Sequence, residues 1–302
     1  MLAHTIADAI IESRDRDQAL SWLPTVLCRL DDLEVARRVA GMIRSPDLRM
    51  ATLVQIAETA TADGNADIVG KVIAEAEDLA TTLETGYARV NALGRLAAAA
   101  AASSLPGMAE QLLERAAAAA RVDPLMRDQL IVIVGVAAAK AGRLDLAEAL
   151  LGERGTLRIS LSSTASDIAE ILGLMIQQDD VERATRVLDG VIGSWRPHIQ
   201  KRLAEAAAQA GNLTAAEKLA QSLEDPGLQA SALAVLAAAS PAHAQRSLLC
   251  RALIVGGWDS CFVVMARVAP DLAKRFADEL LAFDSDAGSQ HLAKVIKPVL
   301  AI

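Results

Sequence analysis

Two pairs of adjacent carboxylates have the look of acidic clamps that hold magnesium against a diphosphate: Asp31–Asp32 at the head of DDLEVARRVA and Asp179–Asp180 at the head of DDVERATRVL. A metal-dependent enzyme built on them would need both pairs to converge on one ion. The same residues suit a plainer task. Asp31 and Asp179 are each followed three positions later by a glutamate, Glu34 and Glu182, which is the spacing of a capping box with Asp in place of Ser or Thr. Such a cap contributes about 1 kcal/mol by satisfying backbone N–H groups at a helix start, and its charge suits the helix dipole.

Other constellations are weaker. GNADIVGKV, Gly64 to Val72, resembles a phosphate-binding loop, but five residues separate its glycines and Val72 stands where a hydroxyl must hold magnesium. It reads as a turn. His4, His198, His243 and His291 are widely spaced, with no two-histidine helical metal motif. Cys28, Cys250 and Cys261 are too few for a disulfide framework and suit a reducing cytoplasm. Cys250 and Cys261 read as packed thiols. No Gly-x-Ser-x-Gly elbow occurs. The expectation is therefore no catalytic residue, no cofactor and no metal.

The elements that carry these residues follow from composition. Of 302 residues, 53% are hydrophobic and only 2% aromatic, so the apolar bulk is Ala, Leu, Val and Ile. Ala and Leu favour helices, and small side chains let helices approach closely. A net charge of −8 repels phosphate backbones, which argues against nucleic-acid partners. MLAHTIADAIIESRDRD carries Asp8 and Glu12 and does not read as a secretory signal. The longest uncharged run, Pro226 to Gln245, is broken by Pro226, Gly227 and Pro241, which argues against a membrane span. A cytoplasmic protein is expected.

Self-comparison exposes a repeat, typified by LAEAAAQAGNLTAAEKLA, Leu203 to Ala220: an apolar helix, a short turn, a second apolar helix. Similar turns fall at Asp31, Gly64, Ser104, Gly142, Asp179, Gly211, Ser240 and Asp271, spaced 33, 40, 38, 37, 32, 29 and 31 residues apart. After each turn, apolar residues recur in the stripe of a helix buried on one face, as in Leu33, Val35, Ala36, Val39 and Ala40. SPDL at Ser45, DPLM at Asp123 and DPGL at Asp225 each place Ser or Asp at an N-cap with Pro at the first helical position. The stretch 153–165, ERGTLRISLSSTA, is the least helical and reads as a longer loop. The whole chain, 1–302, reads as a single α-helical repeat domain with 288–302 as a closing helix. Val295, Ile296, Val299 and Leu300 of that helix offer a surface for self-association.

The template unit resembles the tetratricopeptide repeat, with Ala204 as the small residue of the first helix, Gly211 in the turn, Ala216 in the second helix and Pro226 closing the unit. Ala57/Gly64/Val69, Ala97/Ser104/Ala109 and Gly135/Gly142/Ala147 echo it. The bulky aromatics of that family are absent, and the longer units are similar to HEAT repeats. The style also resembles helical-repeat regions of large bacterial sensor proteins. The resemblance implies an all-α fold: a right-handed α-solenoid of about eight helical hairpins.

It also implies a scaffold that binds a protein or peptide along a concave groove lined by the first helices. Carried over position by position, the groove comprises Val54, Glu58, Thr61, Asn91, Gln129, Val132, Val136, Lys140, His198, Lys201, Glu205 and Gln209. A module that senses a ligand and regulates a separate effector is the alternative. Trp22, Trp195 and Trp258 occupy different places in their repeats, so each is either an interface anchor or a plug between Ala-rich helices.

Overall fold

The computed structural model of the chain describes residues 13–283, apart from 31, 84–85, 154, 159–161, 179, 257 and 269. The closing helix expected over 288–302 lies outside the described residues. Contacts divide the chain after Gly155 into two compact units. The boundary falls within the stretch read as a long loop.

The first unit contains α1 (Ser13–Arg29), α2 (Leu33–Ala40), α3 (Pro46–Ala62), α4 (Ala66–Ala80), α5 (Gly86–Ala102), α6 (Pro106–Val122), α7 (Arg127–Lys140) and α8 (Leu144–Gly152). The second contains α9 (Ser162–Gln177), α10 (Val181–Gly190), α11 (Arg196–Gln209), α12 (Leu213–Gln221), α13 (Pro226–Ala239), α14 (Ala242–Val255), α15 (Trp258–Val268) and α16 (Pro270–Phe283). It also holds a two-residue parallel pair, β1 (Leu157–Arg158) against β2 (Val191–Ile192). The sequence reading had no strand there.

The turns show why the chain folds back so regularly. Gly64, Ser104, Gly142 and Gly211 all adopt left-handed φ values, 72°, 61°, 74° and 82°. Each turn closes with the same pair of backbone bonds. Asn65 N–H donates to Ala60 O at 2.8 Å and Gly64 N–H to Thr61 O at 3.1 Å, and Leu105, Arg143 and Asn212 repeat the longer-range bond. These are Schellman closures, which satisfy the orphan carbonyls of the first helix. The residue that closes the turn then becomes the N-cap of the next helix: Asp32, Asn65, Leu105, Arg143, Asp180 and Asn212.

Three sequence expectations shift. The capping aspartates are Asp32, accepting from Val35 N–H, and Asp180, accepting from Arg183 N–H; Asp31 and Asp179 lie outside the described residues. Caps one residue later put Glu34 and Glu182 too early for the capping box. Ser45 and Asp225 cap α3 and α13 with Pro in the first turn, but Asp123 receives the Leu125 and Met126 N–H groups in a separate turn, and α7 starts only at Arg127. Asp271 lies in the first turn of α16, not in a turn between helices.

The first helix of each pair forms the packed middle. In the first unit α1, α3, α5 and α7 stack in succession, and in the second α9, α11, α13 and α15 do the same. Within each unit a second helix lies against its own partner and, where one follows in that unit, against the next first helix, as α6 does with α5 and α7. Burial follows from position. In α7, Leu130, Ile131, Val132, Val134, Ala137, Ala138 and Ala139 are all buried, whereas α2 buries only Leu33, Ala36 and Ala40. A helix hemmed in on several sides must be apolar nearly all round; one on the outside needs a single stripe. Ala and Gly permit the close approach: a Cβ placed on Gly94 of α5 would stand 3.1 Å from the Ala137 Cβ of α7. Buried Asp17 of α1 accepts the Arg44 and Ser45 N–H groups, tying down the return to α3.

Candidate partner-binding surface

Polar side chains on neighbouring repeats are joined at intervals close to the repeat length. Arg95 of α5 clasps Glu58 of α3 through two bonds of 2.8 and 2.6 Å. Lys71 reaches Glu34 at 3.0 Å, Arg115 reaches Glu77 at 3.1 Å, Arg143 reaches Glu110 at 2.6 Å, and Arg37 pairs with Glu75. Hydrogen bonds from Lys71 and then Arg37 hold the Glu34 carboxyl below the usual carboxylate range. The Arg121 guanidinium does the same to Glu153. Each exposed pair is worth little alone, but together they form a seam between successive repeats.

The groove residues inferred from the sequence divide into three groups. Val54 and Val132 are 2% and 0% exposed, so they belong to the core and not to a groove. Their helices are enclosed on several sides, a crowding that the family pattern does not carry over. Glu58 and Thr61 sit on the seam: Glu58 is held by Arg95, and the Thr61 hydroxyl lies 2.8 Å from Ala57 O, 3.3 Å from Ala99 O and 3.1 Å from Ser103 Oγ. Asn91, Gln129 and Val136 are half-buried and Lys140 is exposed.

In the second unit, His198 is exposed beside the half-buried Trp195, ring centroids 5.2 Å apart. Lys201 and Glu205 pair with each other at 3.0 Å, and Gln209 is exposed.

Glu205 and Gln209 share a cleft of about 430 Å³ between α9 and α11. Ser166, Asp167 and Glu170 line it from α9, Arg202 joins them from α11, and Ala169 and Ala206 complete the lining. The repeat register sets this pair of helices apart from α3 and α5. Arg95 and Arg202 both stand ten residues ahead of the N-cap that closes their turn, at Leu105 and Asn212. Glu58 stands seven ahead of Asn65, and the same place before Asp180 is Gly173. Where Glu58 and Arg95 bridge one pair of helices, Gly173 leaves Arg202 no carboxylate at the matching position. Arg202 donates instead to Ser166 Oγ at 2.9 Å. Sequence reasoning singled out Glu205 and Gln209 but missed Ser166, Asp167, Glu170 and Arg202. Aligning the repeats on the N-cap would have flagged Gly173 opposite Glu58.

Other candidate chemistry takes structural places. Asp32 and Asp180 cap helices. Among the described residues no group of three or more His, Cys, Asp or Glu side chains is arranged to hold a metal ion. Gly64 forms the left-handed turn, Asn65 caps α4, and Gly70 and Lys71 lie within that helix. Cys28 and Cys261 are buried and Cys250 is exposed. Burial pushes the Cys261 thiol up to about 11. No helix among the described residues is long and apolar enough to cross a membrane.

The paired helices, the recurrent left-handed turn and the seam at repeat spacing define an all-helical repeat protein. No family model matches the chain, and no curated protein matches it. Among solved structures it is similar to Ton1535 from Thermococcus onnurineus NA1, at 14% identity and a TM-score of 0.34, over 87% of this chain and 93% of that one. It is also similar to a circular tandem repeat protein with novel repeat topology and enhanced subunit contact surfaces, at 16% identity and a TM-score of 0.29, over 95% of this chain and 65% of the other. Similarity at this level carries no argument, so the repeat class rests on the turns and the seam.

Proposed function

We propose that the chain is a non-catalytic scaffold, a right-handed solenoid of about eight tetratricopeptide-like hairpins, which binds a protein or peptide on the face of its first helices. The cleft between α9 and α11 carries this reading, because it gathers charged side chains around an opening where α3 and α5 are instead bridged by Glu58 and Arg95. Asp167, Glu170 and Glu205 favour a peptide segment with a basic side chain, and Ser166 and Gln209 can meet its backbone groups. The net charge of −8 steers a basic partner toward the chain. The cleft volume also falls in the range of small-molecule sites, roughly 300–1,000 Å³, which keeps a ligand-sensing module as the second reading.

One substitution tests the site without emptying the core. Gly173→Glu would place a carboxylate where Arg202 can bridge to it, closing the cleft as Glu58 and Arg95 close theirs. A partner captured from extract by the wild type should be lost by Gly173→Glu and by single charge reversal at Lys201 or Glu205, with helicity unchanged by circular dichroism. Calorimetric titration of the purified partner should then show affinity reduced at least tenfold. A partner that binds Gly173→Glu as tightly as the wild type places recognition elsewhere.

A further inference from the structure

The cleft between α9 and α11 is short. Two contacts join its walls: Arg202 Nη1 donates to Ser166 Oγ at 2.9 Å, and a Cβ placed on Gly173 would stand 4.0 Å from the Ala206 Cβ. Seven residues of helix, about 10 Å, separate Ser166 from Gly173 on α9. An extended peptide covers that distance in about three residues. The cleft therefore has room for one long side chain and the backbone on either side of it.

Its lining says which side chain. Both walls bring acceptors, Asp167 and Glu170 from α9 and Glu205 and Gln209 from α11. Three carboxylates stand against one guanidinium, that of Arg202, which is already engaged with Ser166. Glu205 also pairs with Lys201 at 3.0 Å, and a carboxylate has lone pairs enough to accept from a second cation. The apolar part of the lining is two methyl groups, Ala169 on one helix and Ala206 on the other.

A guanidinium meets these terms better than an ammonium. It is planar and weakly hydrated and carries five N–H donors in a fixed fork, so it can bond carboxylates on two walls while its faces rest on methyl groups. An ammonium is a compact, strongly hydrated point charge with three donors. In an opening of about 430 Å³ it keeps its water on the side away from whichever carboxylate it meets. We propose that the cleft receives a single arginine side chain of the partner and discriminates against lysine. This rests on the scaffold reading of the same cleft and names what that surface recognises.

Amide shifts of the 15N-labelled full chain, followed by NMR, test this with three N-acetylated, C-amidated tripeptides: Gly-Arg-Gly, Gly-Lys-Gly and Gly-citrulline-Gly. The arginine probe should shift the amides of Asp167, Ala169 and Ala206 saturably, with a Kd of roughly 1 mM. The lysine probe should bind about fivefold more weakly. The citrulline probe keeps the planar head without the charge and should give no saturable shift. Asp167→Asn and Glu170→Gln should each weaken the arginine probe about threefold while leaving circular dichroism unchanged. Equal affinity for the arginine and lysine probes would overturn the proposal, as would saturable shifts confined to residues outside the cleft, or none with the arginine probe. The scaffold reading is judged apart from these outcomes. A captured partner that is lost by Gly173→Glu sustains it even when no probe binds, and one indifferent to Gly173→Glu places recognition elsewhere even when the arginine probe binds.

Discussion

Ser104 is the one described residue other than glycine with a positive φ, and it stands where Gly64, Gly142 and Gly211 stand in their own turns. A left-handed backbone costs an L-residue roughly 1–2 kcal/mol. The serine is held there because Ser104 N–H and Leu105 N–H both find carbonyls at the end of α5. Ser104→Gly should therefore raise stability by about 1 kcal/mol, and Gly142→Ala should lower it by a similar amount, as read from urea denaturation midpoints. A destabilised Ser104→Gly would mean that the hydroxyl, not the turn geometry, selects this residue. The periodic turn residues were legible in the sequence, but the cap was misplaced by one position. Adjacent aspartates offer two equivalent caps on paper, and only the backbone bonds from Asp32 N–H to Leu27 O and from Asp180 N–H to Met175 O decide which one ends the turn.

At the scale of the helices, two glycines of similar appearance in the sequence have opposite roles. Gly94 faces Ala137 at close range, while a Cβ on Gly70 in α4 would meet nothing within 4 Å. Gly94→Leu should force α5 and α7 apart and cost about 1–3 kcal/mol. Gly70→Ala should stabilise by about 0.5–1 kcal/mol through the lower backbone entropy of the unfolded chain. Thermal melts of both variants check the pair, and a neutral Gly94→Leu would show that the first helices do not need close approach. The same enclosure of the first helices explains why Val54 and Val132 were assigned to a groove by resemblance and lie instead in the core. An apolar residue on a first helix is compatible with either place until its neighbours are known.

Taken as a whole, the molecule is held by an apolar middle and by carboxylate–guanidinium or carboxylate–ammonium pairs between repeats, which makes its stability sensitive to acid. Glu34 and Glu153 have folded-state pKa values below the usual range, set by Lys71 and Arg37 and by Arg121 respectively. A depressed carboxylate contributes stability that is present above its unfolded pKa and is lost as pH falls through the folded one. Tm should therefore decline between about pH 5 and about pH 3. A Glu34→Gln/Glu153→Gln variant should have a lower Tm at neutral pH and a shallower acid decline. Parallel declines in the two proteins would show that these pairs add nothing to stability.

The sequence by itself determined that the protein is helical, that its helices come in pairs at a period of 29 to 40 residues, and where most turns fall. These are local properties: Ala and Leu propensity, apolar spacing, Gly in left-handed turns and Ser, Asp or Asn at helix starts all act within a few residues. Only the tertiary structure decided that the first helices are enclosed, that Glu58 meets Arg95, that a cleft opens between α9 and α11 beside Arg202, and that Trp22 stands exposed. Those outcomes depend on which residues of one repeat lie opposite which residues of the next. That register is set by the packing of whole helices and is not written in either segment alone.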